Sequence, residues 1–408
     1  MSFIIFLFLL LSPGTPEQTP PPLPISVDQA VELAFRQNPS LLALARDIEA
    51  ARGQTRVDSA LPDAELGLEV AGMNFPGAGT VEQETSLGLT QFIPFPGKLK
   101  LRARAGRVAE EEAVLRLERA RLLLASEVRK AYYRSLFQQK TVEILLKNLD
   151  LLEEIQKNAV SRYALSAVPY SDIMRLKLEM ARTRNDLLEA QKELAVSRQE
   201  LARLLGLKDD RELLLTSNLE PAPIRGQQEE ALARRKELSP TLRLARLRRD
   251  RAELLVRLAD KSRLPDFSLG LFSPSKKLGA TGFSFGLSYP LFSQKRLAGE
   301  KMLAEAEKQK ADYEIQAAER FFESRLRKAA AEINQSREQL RIFEESLLQD
   351  SGAELEKALQ DYRLGKIDSL NLLDLYRGFS LVHLEYYRAI YLYQAALAEF
   401  EAAGEDYE

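Results

Sequence analysis

The sequence predicts a mainly α-helical chain with a small β part, in which one structural plan is written twice. Three observations lead there. Similar segments recur at an offset of about 200 residues. Very long charged stretches carry apolar residues at alternating spacings of three and four, the signature of coiled-coil helical hairpins. Four short segments alternate apolar with small or polar residues, among them "GFSFGLSYPLF" at 282–292.

The elements follow in chain order. Residues 3–11 are uniformly apolar and about half the length of a membrane-spanning helix, so 1–11 reads as a signal-peptide core. Residues 12–27 are proline-rich and read as a linker outside any fold. The first repeat, 28–220, opens with one helix over roughly 28–60, which stops before Leu61-Pro62 because the residue preceding a proline avoids the helical region. Two alternating strands follow, Glu65 to Val70 and Ser86 to Thr90, joined through a glycine-rich turn at Pro76 to Gly79. Next comes a helix from about Leu99 to Arg162, roughly 95 Å long if straight. Val142, Leu145, Leu149, Leu152, Ala159 and Tyr163 form its stripe, interrupted at Gln156. The chain turns at Ser166 to Pro169 and returns along Asp172 to Leu205, ending at Gly206.

After the break at Glu220 to Pro223 the second repeat, 221–403, restates this order. Leu264-Pro265-Asp266 falls on Leu61-Pro62-Asp63, and Gly286-Leu287-Ser288 on Gly88-Leu89-Thr90. Its strands are Phe267 to Leu271 and the stretch from 282; its hairpin turns at Leu364-Gly365-Lys366 and returns to about Ala403. Residues 404–408 form an acidic tail.

Composition narrows the function. Lys and Arg number 58 against 60 Asp and Glu, which gives a formal charge of -2 and no basic face for nucleic acid. The chain has no cysteine and one histidine, His383, which reads as a packing residue on the return helix. No HExxH, phosphate loop or nucleophile-base arrangement occurs, and Glu153-Glu154 reads as a solvated pair, so neither an enzyme nor a resident cofactor or metal is implied.

The strands raise a solvation question. Their apolar faces need cover, and the helices are committed to coiled coil, so lipid is the fitting solvent: four transmembrane β-strands per chain. A bilayer tolerates strands only in closed barrels, and the smallest have about eight, so several copies must share one barrel. The polar faces, with Glu65, Glu69, Ser268, Ser284 and Ser288, would line its lumen. Prolines 62, 94, 96, 265 and 290 mark the changes between helix and strand.

The duplicated plan, the Leu-Pro-Asp approach to the strands, the exits "TQFIPFPGKL" and "SYPLFSQKRL", and "YRLGKIDSLNLLDL" at the second tip resemble the TolC-type outer-membrane efflux proteins over about residues 25–403. The resemblance implies a homotrimer: a twelve-stranded β-barrel in outer-membrane lipid, continuous with a trimeric α-barrel through the periplasm. It also implies partners, a periplasmic adaptor (membrane fusion) protein and an inner-membrane pump such as an RND-type transporter, for which the chain is a passive export duct. Adaptor-contacting tips map onto Ala164, Leu165 and Ser166 and onto Arg363, Leu364 and Gly365. A channel constriction maps onto Asp374 and Asn371, the asparagine standing where a second carboxylate is expected. Gly365 has a structural explanation as well, positive φ at a helix end. Phe95-Pro96-Gly97-Lys98 is most similar to the heavy-metal cation efflux branch. The competing reading, a soluble coiled-coil scaffold, accounts for the helices and the charge balance but not for strands at matching points of two repeats.

Overall fold

The structure, a computed structural model, describes residues 23–71, 84–207, 213–221, 236–237, 239–274 and 281–404. The apolar leader, the turn at Pro76 to Gly79 and most of the acidic tail lie outside them. In order the elements are β1 (Leu23–Ile25), α1 (Val27–Gln37), α2 (Pro39–Ser59), β2 (Glu65–Ala71), β3 (Glu84–Ile93), α3 (Lys98–Ala164), α4 (Tyr170–Leu205) and β4 (Leu213–Leu215). Then come α5 (Pro240–Lys261), β5 (Asp266–Pro274), β6 (Gly282–Ser288), α6 (Gln294–Ile342), a π turn (Phe343–Leu347), α7 (Leu348–Arg363) and α8 (Ser369–Gly404).

The helix expected over 28–60 is two helices. Asn38 precedes Pro39 and adopts extended backbone, φ -64° and ψ 118°, where its side chain accepts hydrogen bonds from the amides of Ser40 and Leu41. A proline at the first helical position and an asparagine cap make this a helix start. The second half repeats the device, with Ser239 before Pro240 capping α5 through the amide of Leu242.

The chain packs as two compact units. One holds the segments through Gln37, Val128–Pro221 and Leu340–Tyr391; the other holds Asn38–Glu127, Ala222–Gln339 and Leu392 onward. In the first, the hairpin unit, Leu152, Ile155 and Ala159 of α3 meet Ile173, Leu176 and Met180 of α4, Leu355, Ala358 and Tyr362 of α7, and Leu372, Leu373 and Tyr376 of α8. The α3 stripe is shifted from the one expected: Ile155 takes the buried seat beside Gln156, and Tyr163 is exposed. Truncating Leu152, fully buried, would cost about 2–5 kcal/mol. Helix α4 ends at Gly206, at φ 73°, whose backbone N–H donates to Arg203 O at 3.1 Å while that of Leu207 donates to Ala202 O.

The expected linker is corrected at its end. Leu23–Ile25 pairs in parallel with Leu213–Leu215, and Ile25 is buried. Fully buried Tyr132 on α3 fastens both strands, its hydroxyl donating to Ile25 O at 2.8 Å and accepting from the Ser217 amide at 3.1 Å. The π turn is also absent from the sequence reading; it divides the long helix of the second half, whereas α3 runs 67 residues unbroken.

The second, the sheet unit, carries a four-stranded antiparallel sheet in the order β2-β3-β5-β6. Its register gathers most residues of one kind on each face, with Gln91 and Ser273 among the apolar ones and Phe92 and Phe272 among the small and polar ones. Leu66 opposes Leu89, which opposes Leu271, which opposes Phe283; Leu68 and Leu87, and Leu269 and Phe285, share that face. The other face carries Glu65, Thr90, Gly270 and Ser284 in one row and Phe92, Ser268 and Gly286 in another. Here the glycines make room for their cross-strand partners: a Cβ at Gly270 or Gly286 would meet Ser284 Oγ or Ser268 Oγ unless that hydroxyl rotated away. Strand β6 stops at Ser288, short of the expected stretch, because Pro290 cannot donate to a ladder.

Candidate functional site

Two regions are candidates, one in each unit. The first is the strand-to-helix crossing of the sheet unit. Gly97, at φ 95°, turns the chain from β3 into α3 and delivers Lys98, which is 5% exposed. Its Nζ donates to Leu264 O at 2.9 Å and to Asp266 Oδ1 at 2.8 Å, and the same carboxylate oxygen accepts the Phe95 amide at 2.6 Å. Phe95 stacks on Phe267, ring centroids 6.2 Å apart, while Lys261 donates to Pro96 O. The Pro-Phe-Pro-Gly-Lys segment thus clamps the two halves of the chain together below the sheet. The sequence showed these residues as a motif, but their partner lies 168 positions away.

Above that clamp the apolar face is open. Leu66, Leu68, Phe283, Phe285 and Leu287 are each more than half exposed, with Phe283 at 86%. Both outer edges, on β2 and β6, lack a neighbouring strand among the described residues. A sheet with one exposed apolar face suits hydrocarbon as its solvent, provided that its two edges are paired.

The second region comprises the tips of the hairpin unit. Ala164 ends α3; Leu165 is 80% exposed, and Ser166, at φ 58°, is the described non-glycine residue with positive φ. The turn is held by Ser166 N to Tyr163 O at 2.8 Å and Ala167 N to Arg162 O at 2.9 Å, and it borders a shallow cleft reaching Val168 and Pro169. At the other tip Leu364 projects into solvent and Gly365, at φ 75°, sits where a Cβ would press on the Arg162 guanidinium. Arg363 pairs with Glu154.

The two hairpins are cross-linked just inside the tips. Arg162 donates to Tyr362 O at 2.7 Å and lies over the Tyr362 ring, 5.1 Å from its centroid. Arg377 reaches the carboxylate of Glu179 on α4 with two nitrogens, at 3.1 and 2.6 Å. Asn148 donates to Ser380 Oγ at 2.7 Å. Burial pushes the Tyr376 hydroxyl up to about 12, so it stays protonated beside Thr183, whose own hydroxyl donates to Glu179 O.

Asp374 and Asn371 lie one helical turn apart on the exposed face of α8. The amide of Asn371 donates to Asp368 Oδ1, which caps the start of that helix. The carboxylate of Asp374 has a cationic neighbour that the sequence reading overlooked, Arg377 at 3.4 Å. The signal was present in the i,i+3 spacing of the two residues.

His383 packs on Phe379 with its ring tilted by 53°, centroids 4.3 Å apart, and burial lowers its pKa below the usual histidine value. A depressed folded pKa contributes stability that is present above the unfolded value, about 6.5, and is lost as pH falls through the folded one. Thermal scans at pH 7.5 and 5.5 should therefore show a smaller acid-side loss for His383→Phe than for the wild type. Equal losses would mean that the imidazole ionises as freely in the fold as outside it.

Long helical hairpins that carry a lipid-facing sheet define a class, the membrane channel. The chain belongs to the outer membrane efflux protein family, whose sequence pattern matches residues 30–207 and again 230–404. It is an efflux channel of the outer membrane, with its helices in the periplasm. The cobalt-zinc-cadmium resistance protein CzcC of Cupriavidus metallidurans is 23% identical over 378 residues, covering 91% of this chain and 88% of that protein. The fold is similar to that of CusC, with a TM-score of 0.78 and 20% identity over 93% of this chain and 92% of that one. It is likewise similar to the CmeC outer membrane channel of Campylobacter jejuni, with a TM-score of 0.80 and 19% identity over 92% and 85%.

Proposed function

We propose that the chain is the outer-membrane duct of a tripartite exporter. Three copies share one barrel of twelve strands, four from each, and their hairpins enclose a tunnel leading to it. The carrying observation is the sheet, with an exposed apolar face, a face of small and polar residues, and two open edges. In hydrocarbon each unsatisfied backbone group costs several kcal/mol, so the edges must close on other copies. Gly270, Ser284, Ser268 and Gly286 lie on the face that turns to the lumen, together with Phe92 and Phe272. The exposed turns at 164–166 and 363–365 suit docking to a periplasmic adaptor, with an RND-type inner-membrane pump supplying the energy. The duct itself conducts and catalyses nothing. A heavy-metal cation is the cargo that the likeness to CzcC and the Phe95-Pro96-Gly97-Lys98 exit favour.

The test is fractionation of a Gram-negative host expressing the full chain, followed by the mass of the detergent-extracted species. Three chains in the outer membrane are expected; a soluble or single-chain species would overturn the proposal. Within it, Asp374 sets part of the selectivity of the tunnel mouth. In planar bilayers Asp374→Ala should lower the preference for cations over anions, because three carboxylates around one axis favour cations. Unchanged selectivity would remove Asp374 from the constriction.

A further inference from the structure

The near balance of charge over the whole chain, 58 Lys and Arg against 60 Asp and Glu, conceals one unbalanced layer. All four strands meet their helices at the same end of the sheet: Glu65, where β2 begins, pairs with Thr90 near the end of β3, Ile93 pairs with Phe267, and Asp266 pairs with Ser288. The ten residues on the helical side of each strand are 55–64, 94–103, 256–265 and 289–298. Together they hold nine Lys or Arg against three acids, Asp58, Asp63 and Asp260. The ten residues beyond each of these, 45–54, 104–113, 246–255 and 299–308, hold ten of each sign. The excess of positive charge is therefore confined to a layer about 15 Å deep next to the sheet.

The fold uses only part of this charge. Lys98 binds Asp266, Arg257 pairs with Glu253, and Arg296 with Glu300. Arg56, Lys100, Arg102, Arg263 and Lys295 are exposed and form no ion pair among the described residues. Lys100 and Arg102 stand two positions apart on α3, on opposite sides of it, so either face of the helix layer presents a cation. Towards the sheet the cations adjoin apolar side chains: Tyr289 and Leu291 are more than half exposed, and Phe292, three positions before Lys295, is fully so. An apolar band, then aromatic rings, then unpaired cations is the order in which hydrocarbon gives way to headgroups. Like charges held in one layer repel, and anions placed among them remove that cost.

We infer that this layer binds the headgroups of anionic phospholipids, of the phosphatidylglycerol or cardiolipin kind, in the periplasmic leaflet of the outer membrane. The inference rests on the reading that the sheet spans that membrane with its helices in the periplasm, and it names the lipid class that the boundary selects. Guanidinium and ammonium groups bind phosphate oxygens through charge-assisted hydrogen bonds. A zwitterionic headgroup brings its own ammonium beside the phosphate and leaves the excess uncompensated, whereas an anionic one cancels it. The layer also fixes the depth of the barrel. A shift outwards would carry unpaired cations into hydrocarbon, and a shift inwards would bring Phe283 and Phe285 into water.

Full-length protein in detergent is equilibrated with equal amounts of phosphatidylglycerol and phosphatidylethanolamine, and native mass spectrometry reads the lipid that the intact assembly retains. Phosphatidylglycerol should be retained in excess, and added salt should reduce that excess, because exposed charges are screened. One cation beside an anionic surface is worth roughly fivefold in affinity. The variant carrying Lys100→Gln, Arg102→Gln, Arg263→Gln and Lys295→Gln should therefore lower the excess at least about fivefold and leave phosphatidylethanolamine unchanged. A control with Arg116→Gln, Arg119→Gln, Arg121→Gln and Lys157→Gln, all exposed and farther from the sheet, should keep the wild-type preference. Equal retention of the two lipids by the wild type overturns the inference and leaves the shared barrel standing. So does an equal fall in both variants, an unchanged excess in the first, or an excess that inorganic phosphate at the same concentration abolishes. If the first variant does not assemble, Arg263→Gln and Lys295→Gln are measured singly: a lower excess in each supports the inference, and an unchanged excess in both overturns it. Wild-type single chains that retain neither lipid overturn the membrane-spanning reading itself.

Discussion

Lys98→Met should sharply reduce the amount of protein reaching the outer membrane as a heat-resistant trimer. The substitution keeps the length of the side chain and deletes its charge. It withdraws two hydrogen bonds, to Leu264 O and Asp266, at a site where Lys98 is 5% exposed. Removing one member of a buried pair costs about 3–5 kcal/mol; Asp266 is nearly half exposed and can rehydrate, which brings the expectation nearer to about 2–3. That penalty falls where β3 turns into α3, so the two halves of the sheet lose their alignment. Asp266→Asn should be milder, since an amide oxygen can still accept the Phe95 amide. Fractionation with unheated and heated gels is the measurement. Normal assembly of Lys98→Met would show that the prolines and the Phe95-Phe267 stack hold the crossing unaided.

Arg377→Ala should change conductance more than any other single substitution at the tips. One guanidinium serves two carboxylates: it binds Glu179 with two nitrogens and lies 3.4 Å from Asp374. The carboxylate of Glu179 is largely buried, so deleting Arg377 leaves it without its bidentate partner and loosens α8 from α4. The same deletion takes a positive charge from beside Asp374. In the proposed assembly both consequences act in one direction, towards a wider and more cation-selective mouth. Arg377→Lys, which keeps the charge but not the planar fork, should restore much of the selectivity and less of the closure. Single-channel recordings separate the two effects. If conductance and selectivity both stay at wild-type values, the Arg377 link neither restrains the tip nor screens Asp374.

Much of the fold was legible in the sequence, because its elements are long and local rules govern them. The bounds of α3 and α4 follow from apolar spacing, from Gly206 and from the turn at 166–169. The faces of the sheet follow from alternation, and register only had to align them. The split at Asn38-Pro39 was legible too, since an asparagine before a proline is a helix start, but the apolar periodicity runs across it. By contrast, β1 and β4 have three residues each and exist because Tyr132 holds them, which no local pattern announces. At the tips the projecting turns were visible in Gly365 and in the short link from Ser166 to Pro169. The cross-links behind them were not. Arg162 to Tyr362 and Arg377 to Glu179 span about 200 positions, and charged side chains on long helices look alike until the helices are set side by side.

The π turn at 343–347 bears on the symmetry of the proposed assembly. Three copies of a duplicated chain would bring twelve long helical legs together in a ring, three of them the unbroken α3 and three the helix interrupted between α6 and α7. Sequence duplication alone would make such a ring nearly six-fold. The inserted residue makes it three-fold, with three stiff staves and three jointed ones. Bending at the joints would move the jointed staves while the unbroken ones kept the circumference. A duplicated chain can divide labour in this way, one copy conserving the frame and its twin free to acquire a hinge.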